Sequence, residues 1–297
     1  MSSNTPRKDR VKILIFVKKR PDISQEHFDN YWLHEHVPRV LAFMKGKPEP
    51  LVYEQLHVNQ EERELLKKAG VPVLDYDGIV LFEAASFEGF GSVRLSYAYP
   101  YPYSPHPTHT HTNKYTIKQL KTEEYLTTIV PDEAVFADRP NSLIVPLHIA
   151  SILPHTEELK APLPEKEVRK DRKRMAYVFI RKEGLSDDEF REAWMQDHAR
   201  VVTESSFGRK MVKYEQLHPA GPVTSCANPD PTSPVPNSTW PWGGVALIDA
   251  PSFGDLQPDA ESAKAFEEDR DKWHVPGTLT LLPVDLVRII DRGVQEL

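Results

Sequence analysis

YEQLH stands at residues 53–57, and the same five letters return at 214–218. The stretches before them also agree. ILIFVKKRPDISQEHFDNYWLHEH at 13–36 and YVFIRKEGLSDDEFREAWMQDH at 177–198 place Ser24, Phe28, Trp32 and His36 each 162 positions before Ser186, Phe190, Trp194 and His198. The YEQLH copies lie 161 apart, so the register survives with one gap. VLFEAASF at 80–87 then aligns with ALIDAPSF at 246–253. A period this long is not a solenoid and predicts a duplicated domain.

Each copy has the same internal grammar. ILIFV (13–17), GIVLF (78–82), AYVFI (176–180) and VALI (245–248) are apolar without alternation, so these strands are expected to be buried on both faces. Helices can cover one face, and the sheet of the other copy can cover the second. Ser24 and Ser186 read as helix N-caps followed by acid or amide residues. Phe, Trp and His at i, i+4 and i+8 then share one helical stripe. In YEQLH, alternation puts Tyr53, Gln55 and His57 on one face and Glu54 and Leu56 on the other. Second helices are expected at 119–128 and 258–270, and closing strands near 141–153 and 279–291. The fold class is thus α+β, with two repeats that each read in the ferredoxin-like order βαββαβ. The repeats run over 1–154 and 175–297. The charged stretch 155–174 reads as a solvated linker, although its basic end, RKDRKR, could also be a nuclear signal or an anion patch.

Composition narrows the function classes. The chain has 297 residues, which suits two domains, with 39% hydrophobic and 27% charged residues. A formal charge of −7 argues against nucleic-acid or anionic-membrane partners. The one cysteine, Cys226, excludes an intramolecular disulfide and a thiolate cluster. No apolar run approaches a membrane span, and MSSNTPRKDR lacks a signal-peptide core; a reducing, cytoplasmic setting is expected. Neither a Gly-rich phosphate loop nor a GxSxG elbow is present. HEH at 34–36 is not the HExxH zinc motif. Cys226, in a Pro-rich insertion (219–244), has no evident activating base and reads as incidental.

The pattern carried by Lys19, Ile23, Ser24, Phe28, Trp32 and His36, and again by Arg181, Gly184, Ser186, Phe190, Trp194 and His198, resembles the EthD domain. VPDEAVFAD at 130–138 is similar to the Asp-containing segment found later in that family. The resemblance implies the dimeric α+β barrel superfamily, in which two ferredoxin-like units pack their sheets face to face, usually as a homodimer; this chain looks like a fused version, two ferredoxin-like βαββαβ repeats in a single-chain pseudo-dimeric α+β barrel. Members of the superfamily include small enzymes that cyclise, dehydrate, decarboxylate or isomerise aromatic and polyketide-like molecules, cofactor-free monooxygenases and haem binders, so fold leaves function open.

The residues give a catalytic set of His36, His57 and Asp132. His36 would act as general acid or base, His57 as a second proton-transfer or oxyanion group, and Asp132 as the carboxylate that orients a histidine or takes the substrate proton. Trp32, Tyr53 and Gln55, with Trp194, His198, Tyr214 and His218 in the second copy, are candidate substrate contacts. In the second copy Gln196 replaces His34, and residues near DKWH (271–274) stand where VPDE stood, which weakens the case for catalysis there. The insertion 97–115 carries His106, His109 and His111 among tyrosines. An aromatic loop over a pocket mouth is the reading preferred to a metal site. The expectation is a lyase or cyclase of secondary metabolism, without cofactor or metal, acting on an aromatic or polyketide-derived small molecule, as a monomeric pseudo-dimer or a homodimer. An oxidoreductase, cofactor-free or haem-dependent, and a non-catalytic small-molecule binder are the alternatives.

Overall fold

The computed structural model describes residues 5–47, 50–87, 122–153, 167–221, 223–227 and 242–292. The His/Tyr-rich stretch 97–115, with His106, His109 and His111, lies outside the described residues.

The chain forms β1 (Val11–Val17), α1 (Gln25–Asn30), a π-helical segment (Tyr31–His36), α2 (Val37–Phe43), β2 (Val52–Val58), α3 (Gln60–Lys68) and β3 (Gly78–Ala84). A second π segment (Tyr125–Ile129) runs into α4 (Val130–Phe136), and β4 (Leu143–Leu153) follows. A similar order follows, without a counterpart of α3. It comprises β5 (Lys173–Ile180), α5 (Asp187–Arg191), a π segment (Glu192–His198), α6 (Ala199–Glu204), β6 (Lys213–Pro219), the two-residue β7 (Thr224–Ser225), β8 (Trp242–Ala250), α7 (Ala260–Arg270) and β9 (Thr280–Asp291). Ser24 accepts from the His27 amide as the expected N-cap, and Ser186 forms a full capping box with Glu189.

The strands run β1-β3-β2-β9-β5-β8-β6-β4, and β4 pairs back to β1. Every pairing is antiparallel, so eight strands close a barrel. The strands of the two halves face each other across the interior and are also joined at their edges, through the β2–β9 and β4–β6 seams. Pairing every edge strand removes the exposed backbone that an open sheet would leave. Both strand faces are buried as the uniform apolar runs require. Leu14, Phe16, Leu56, Val178, Leu217, Leu247 and Leu286 meet inside the barrel. The outer face of 11–153 packs on Phe28, Trp32 and Phe136, and that of 173–291 on Phe190, Trp194 and Trp273.

One end of the barrel interior is charged. Glu54 accepts from Arg174 at 2.9 Å and from Arg288 Nε at 2.9 Å, Lys12 donates to Glu215 at 2.6 Å, and Arg174 also grips Asp249. The glutamate of each YEQLH thus pairs with a cation from the opposite half of the chain. Burial alone would raise the Glu54 carboxyl, but the Arg288, Arg174 and Lys213 charges outweigh it and hold the pKa well below the usual range.

Two expectations change. The second helix of the first half runs Tyr125–Phe136 rather than 119–128, so VPDE is helical. The basic end of 155–174 is not solvated. Arg169 is buried, Arg172 and Arg174 are fully buried, and the latter two bond to Asp249 from the barrel interior. Charge alone read as surface; the two buried carboxylate partners on other strands, Glu54 and Asp249, could not be seen from the local sequence.

Candidate functional site

The π segments carry the histidines. In a π turn the backbone takes an extra residue, which re-aims the side chains that follow. Both halves show it at the same place and share one brace. Gln55 Nε2 donates to the Trp32 carbonyl at 3.2 Å and to Tyr53 Oη at 3.0 Å. Gln216 Nε2 does the same to Trp194 and Tyr214, both at 2.8 Å. Gln55 and Tyr53 are 0% and 1% exposed. They hold the helix from below, and the substrate role expected for them has no surface to act through. Tyr53 is kept protonated by burial.

The π segment sets His36 against Asp132 of α4, with Nδ1 to Oδ2 at 2.6 Å. Tyr31 Oη donates to Asp132 Oδ1 at 2.7 Å, and Arg39 lies 3.0 Å from the same oxygen. Burial would raise the Asp132 carboxyl, but hydrogen bonds from His36 and Tyr31, with the Arg39 charge, hold it below the ordinary value. An ionised Asp132 fixes the tautomer with the proton on Nδ1. That leaves Nε2 as the ring nitrogen not engaged by Asp132.

His36 lines a cavity of about 50 Å³ between the helices and the outer face of the barrel. Ile15, Val17, Val80 and Ile144 form its floor, and Trp32, Phe136 and Tyr125 form its walls. Glu133, which accepts from Tyr125 Oη at 2.9 Å and pairs with Arg139, stands at its polar end with Cys226. A wider groove of about 360 Å³ outside it shares Ala137 and Arg139. Cys226 reaches the cavity because β7 pairs with β4. No local pattern announces that contact; burial also pushes its thiol up to about 12, so it is a wall rather than a nucleophile.

His57 does not join this cavity. Its ring lies 4.6 Å from Trp32, beneath it. There it bonds to Asp29 at 2.9 Å and to Gln55 Oε1 at 3.1 Å. Of the three expected catalytic residues, two are brought together and the third sits behind an indole. Trp32 fits there because Gly78 has no side chain: a Cβ at that position would overlap the indole ring. Gly244 stands in the same relation to Trp194. Gly78→Ala is expected to cost about 1–3 kcal/mol from overpacking and to shift Trp32 into the cavity. Chemical denaturation and the Trp fluorescence maximum check both parts.

The second half repeats the dyad, and here the expectation is corrected. His198 Nδ1 bonds to Asp269 at 2.8 Å, so the counterpart of Asp132 is Asp269 of α7, two residues before DKWH. Trp273, four residues on, takes the place of Phe136 and packs on His198 at 4.9 Å and on Phe179 at 4.9 Å. Its Nε1 also donates to Asp269. Burial pushes the His198 pKa down against the pull of Asp269. The larger ring fills space that the smaller Phe136 leaves on the other side. Tyr214 is fully buried, and His218 lies against Trp194 at 4.3 Å. Among the described residues no three His, Cys, Asp or Glu side chains gather as a metal ion would need. No described helix is long and apolar enough to cross a membrane.

No curated protein matches the chain. Among solved structures, a protein assigned as a chlorite dismutase aligns with TM-score 0.48 and 12% identity over 95% of both chains. A protein of Fusobacterium nucleatum assigned as a monooxygenase aligns with TM-score 0.49 and 9% identity over 99% of this chain and 97% of the other. A mutant chlorite dismutase of Candidatus Nitrospira defluvii aligns with TM-score 0.45 and 11% identity over 94% and 92%. The stretch from Arg20 onward, with the π segment bearing His36 and the first YEQLH strand, falls in the region that a family model matches: residues 20–99 match the EthD domain.

Proposed function

We propose that this chain is an enzyme that moves a proton on an aromatic or polyketide-derived small molecule at His36, in a lyase or cyclase reaction. The observation that carries the reading is the His36–Asp132 pair, 2.6 Å apart, presented to a cavity with an apolar floor and aromatic walls. Asp132 orients the ring and would stabilise the imidazolium as it forms, while Nε2 takes or gives the proton. A cavity of about 50 Å³ holds only the reacting end of such a molecule. The rest would lie in the outer groove across Ala137 and Arg139. Dehydration, decarboxylation and cyclisation share the step of exchanging a proton at an activated carbon or oxygen.

That shared step supplies the test. The purified chain, incubated in D2O with aromatic 1,3-dicarbonyl compounds, should speed deuterium entry at the acidic carbon, followed by NMR. An exchange rate equal to that of buffer across the panel overturns the reading. Saturable binding with no exchange would make the chain a small-molecule binder instead.

We infer further that the chain is a duplicated unit, with repeats at 1–154 and 175–297. Support comes from the common strand order, the matching Gln braces and the two His–Asp dyads. The first repeat would hold the working site, because Trp273 fills the equivalent place in the second.

A further inference from the structure

The β2–β9 and β4–β6 seams carry different charged groups on their outer faces, and Asp285 of the first is paired with Lys173 at 2.5 Å. At the first, His57 faces Asp285 across the ladder and bonds to Asp29 from the helix above. At the second, His218 faces His148 across the ladder. The helix position three residues before the tryptophan is Arg191 instead of an aspartate. Two carboxylates at one seam are replaced by an imidazole and a guanidinium at the other.

We propose that the β4–β6 seam is an oxyanion-binding site, formed by His218, His148 and Arg191 and suited to a small carboxylate or phosphate. His218 Nε2 is buried with no hydrogen-bond partner, and so is Gln216 Oε1 beside it. In the other seam the equivalent atoms bond to each other at 3.1 Å. The His218 ring forgoes that bond, which leaves a buried donor that needs an acceptor. Apolar contacts frame the place: Trp194 lies on His218 at 4.3 Å and Phe87 against His148 at 5.6 Å. Asp188, exposed, pairs with Arg191 at 2.9 Å on α5. The ladder residue on the third strand, Val11, is uncharged.

Burial, then the Arg191 and His148 charges, hold His218 down to about 3. The neutral ring can therefore donate through Nε2–H near neutral pH, with Arg191 supplying the charge. A bound anion reverses the local field and raises the His218 pKa.

The test uses the full chain at constant ionic strength, with sodium phosphate and sodium acetate as probes and the histidine Cε1–H resonances as readout. We expect saturable shifts of the His148 and His218 signals and a higher His218 pKa in the bound form. Arg191→Gln should weaken binding about tenfold or more, the loss of one charge-assisted hydrogen bond. Arg191→Asp, which copies the other seam, should abolish binding and raise the His218 pKa unaided. Phosphate alone shifting the signals would assign a phosphoryl ligand; acetate alone, a carboxylate. No saturable shift with either anion overturns the proposal, as does undiminished binding by Arg191→Gln. If Arg191→Asp does not fold, the loss of charge in Arg191→Gln decides. The readout is independent of turnover at His36.

Discussion

His36→Ala is expected to reduce the deuterium-exchange rate by about 10²–10⁴-fold, the range that a positioned general base contributes, with the far-UV circular dichroism unchanged. The fold should survive because Asp132 is not orphaned. It keeps the Tyr31 hydroxyl at 2.7 Å and Arg39 at 3.0 Å. What is lost is the ring on the cavity wall, 5.0 Å from Phe136. Asp132→Asn should have a smaller effect on exchange. It preserves the shape of the carboxylate but no longer enforces the Nδ1–H tautomer. His198→Ala should leave exchange within about twofold of the wild type, since Trp273 covers that dyad; this is an order-of-magnitude expectation from the shielding of a buried group. Exchange retained in His36→Ala, or lost equally in His198→Ala, would remove the assignment of the site to the first half.

Glu54→Ala is expected to destabilise the chain by about 3–5 kcal/mol, the cost of removing one partner from a buried ion pair. The argument rests on what remains. Arg174 is fully buried and would keep Asp249, but its Nη1 loses its carboxylate. Arg288 loses the partner that raises its own pKa. The thermal midpoint should fall by roughly 6–15 °C at a few degrees per kcal/mol. Glu215→Ala should behave alike, because Lys12 then sits 1% exposed with Glu83 alone, at 3.4 Å. A change below about 1 kcal/mol in both variants, read by urea titration, would show that these pairs do not tie the halves together.

Repetition made the architecture legible. A five-residue stretch and a stripe of Phe, Trp and His at fixed offset located strands, helices and caps in both halves. Alternation also put Glu54 and Leu56 opposite Tyr53, Gln55 and His57 correctly. It could not say which face looked inward, so Gln55 was given a ligand to touch when its partner is the Trp32 carbonyl. The His36–Asp132 contact was within reach because both residues were singled out. Its twin was missed because Asp269 lies in a helix with little residue similarity to VPDE, and only the three-dimensional register aligns them. Buried arginines at 172 and 174 were hidden for a similar reason. Their carboxylates come from β2 and β8, and no local pattern announces a partner 75 to 120 positions away.

A last consequence belongs to the two seams. In an assembly of identical subunits every substitution is made twice, so a change that suits one junction must be tolerated at the other. Here both junctions are encoded by separate positions of one polypeptide, and Asp29 can remain acidic while Arg191 is basic. Selection can therefore act on one junction without its mirror image. The outcome is a molecule whose near-symmetric frame carries two chemically distinct addresses.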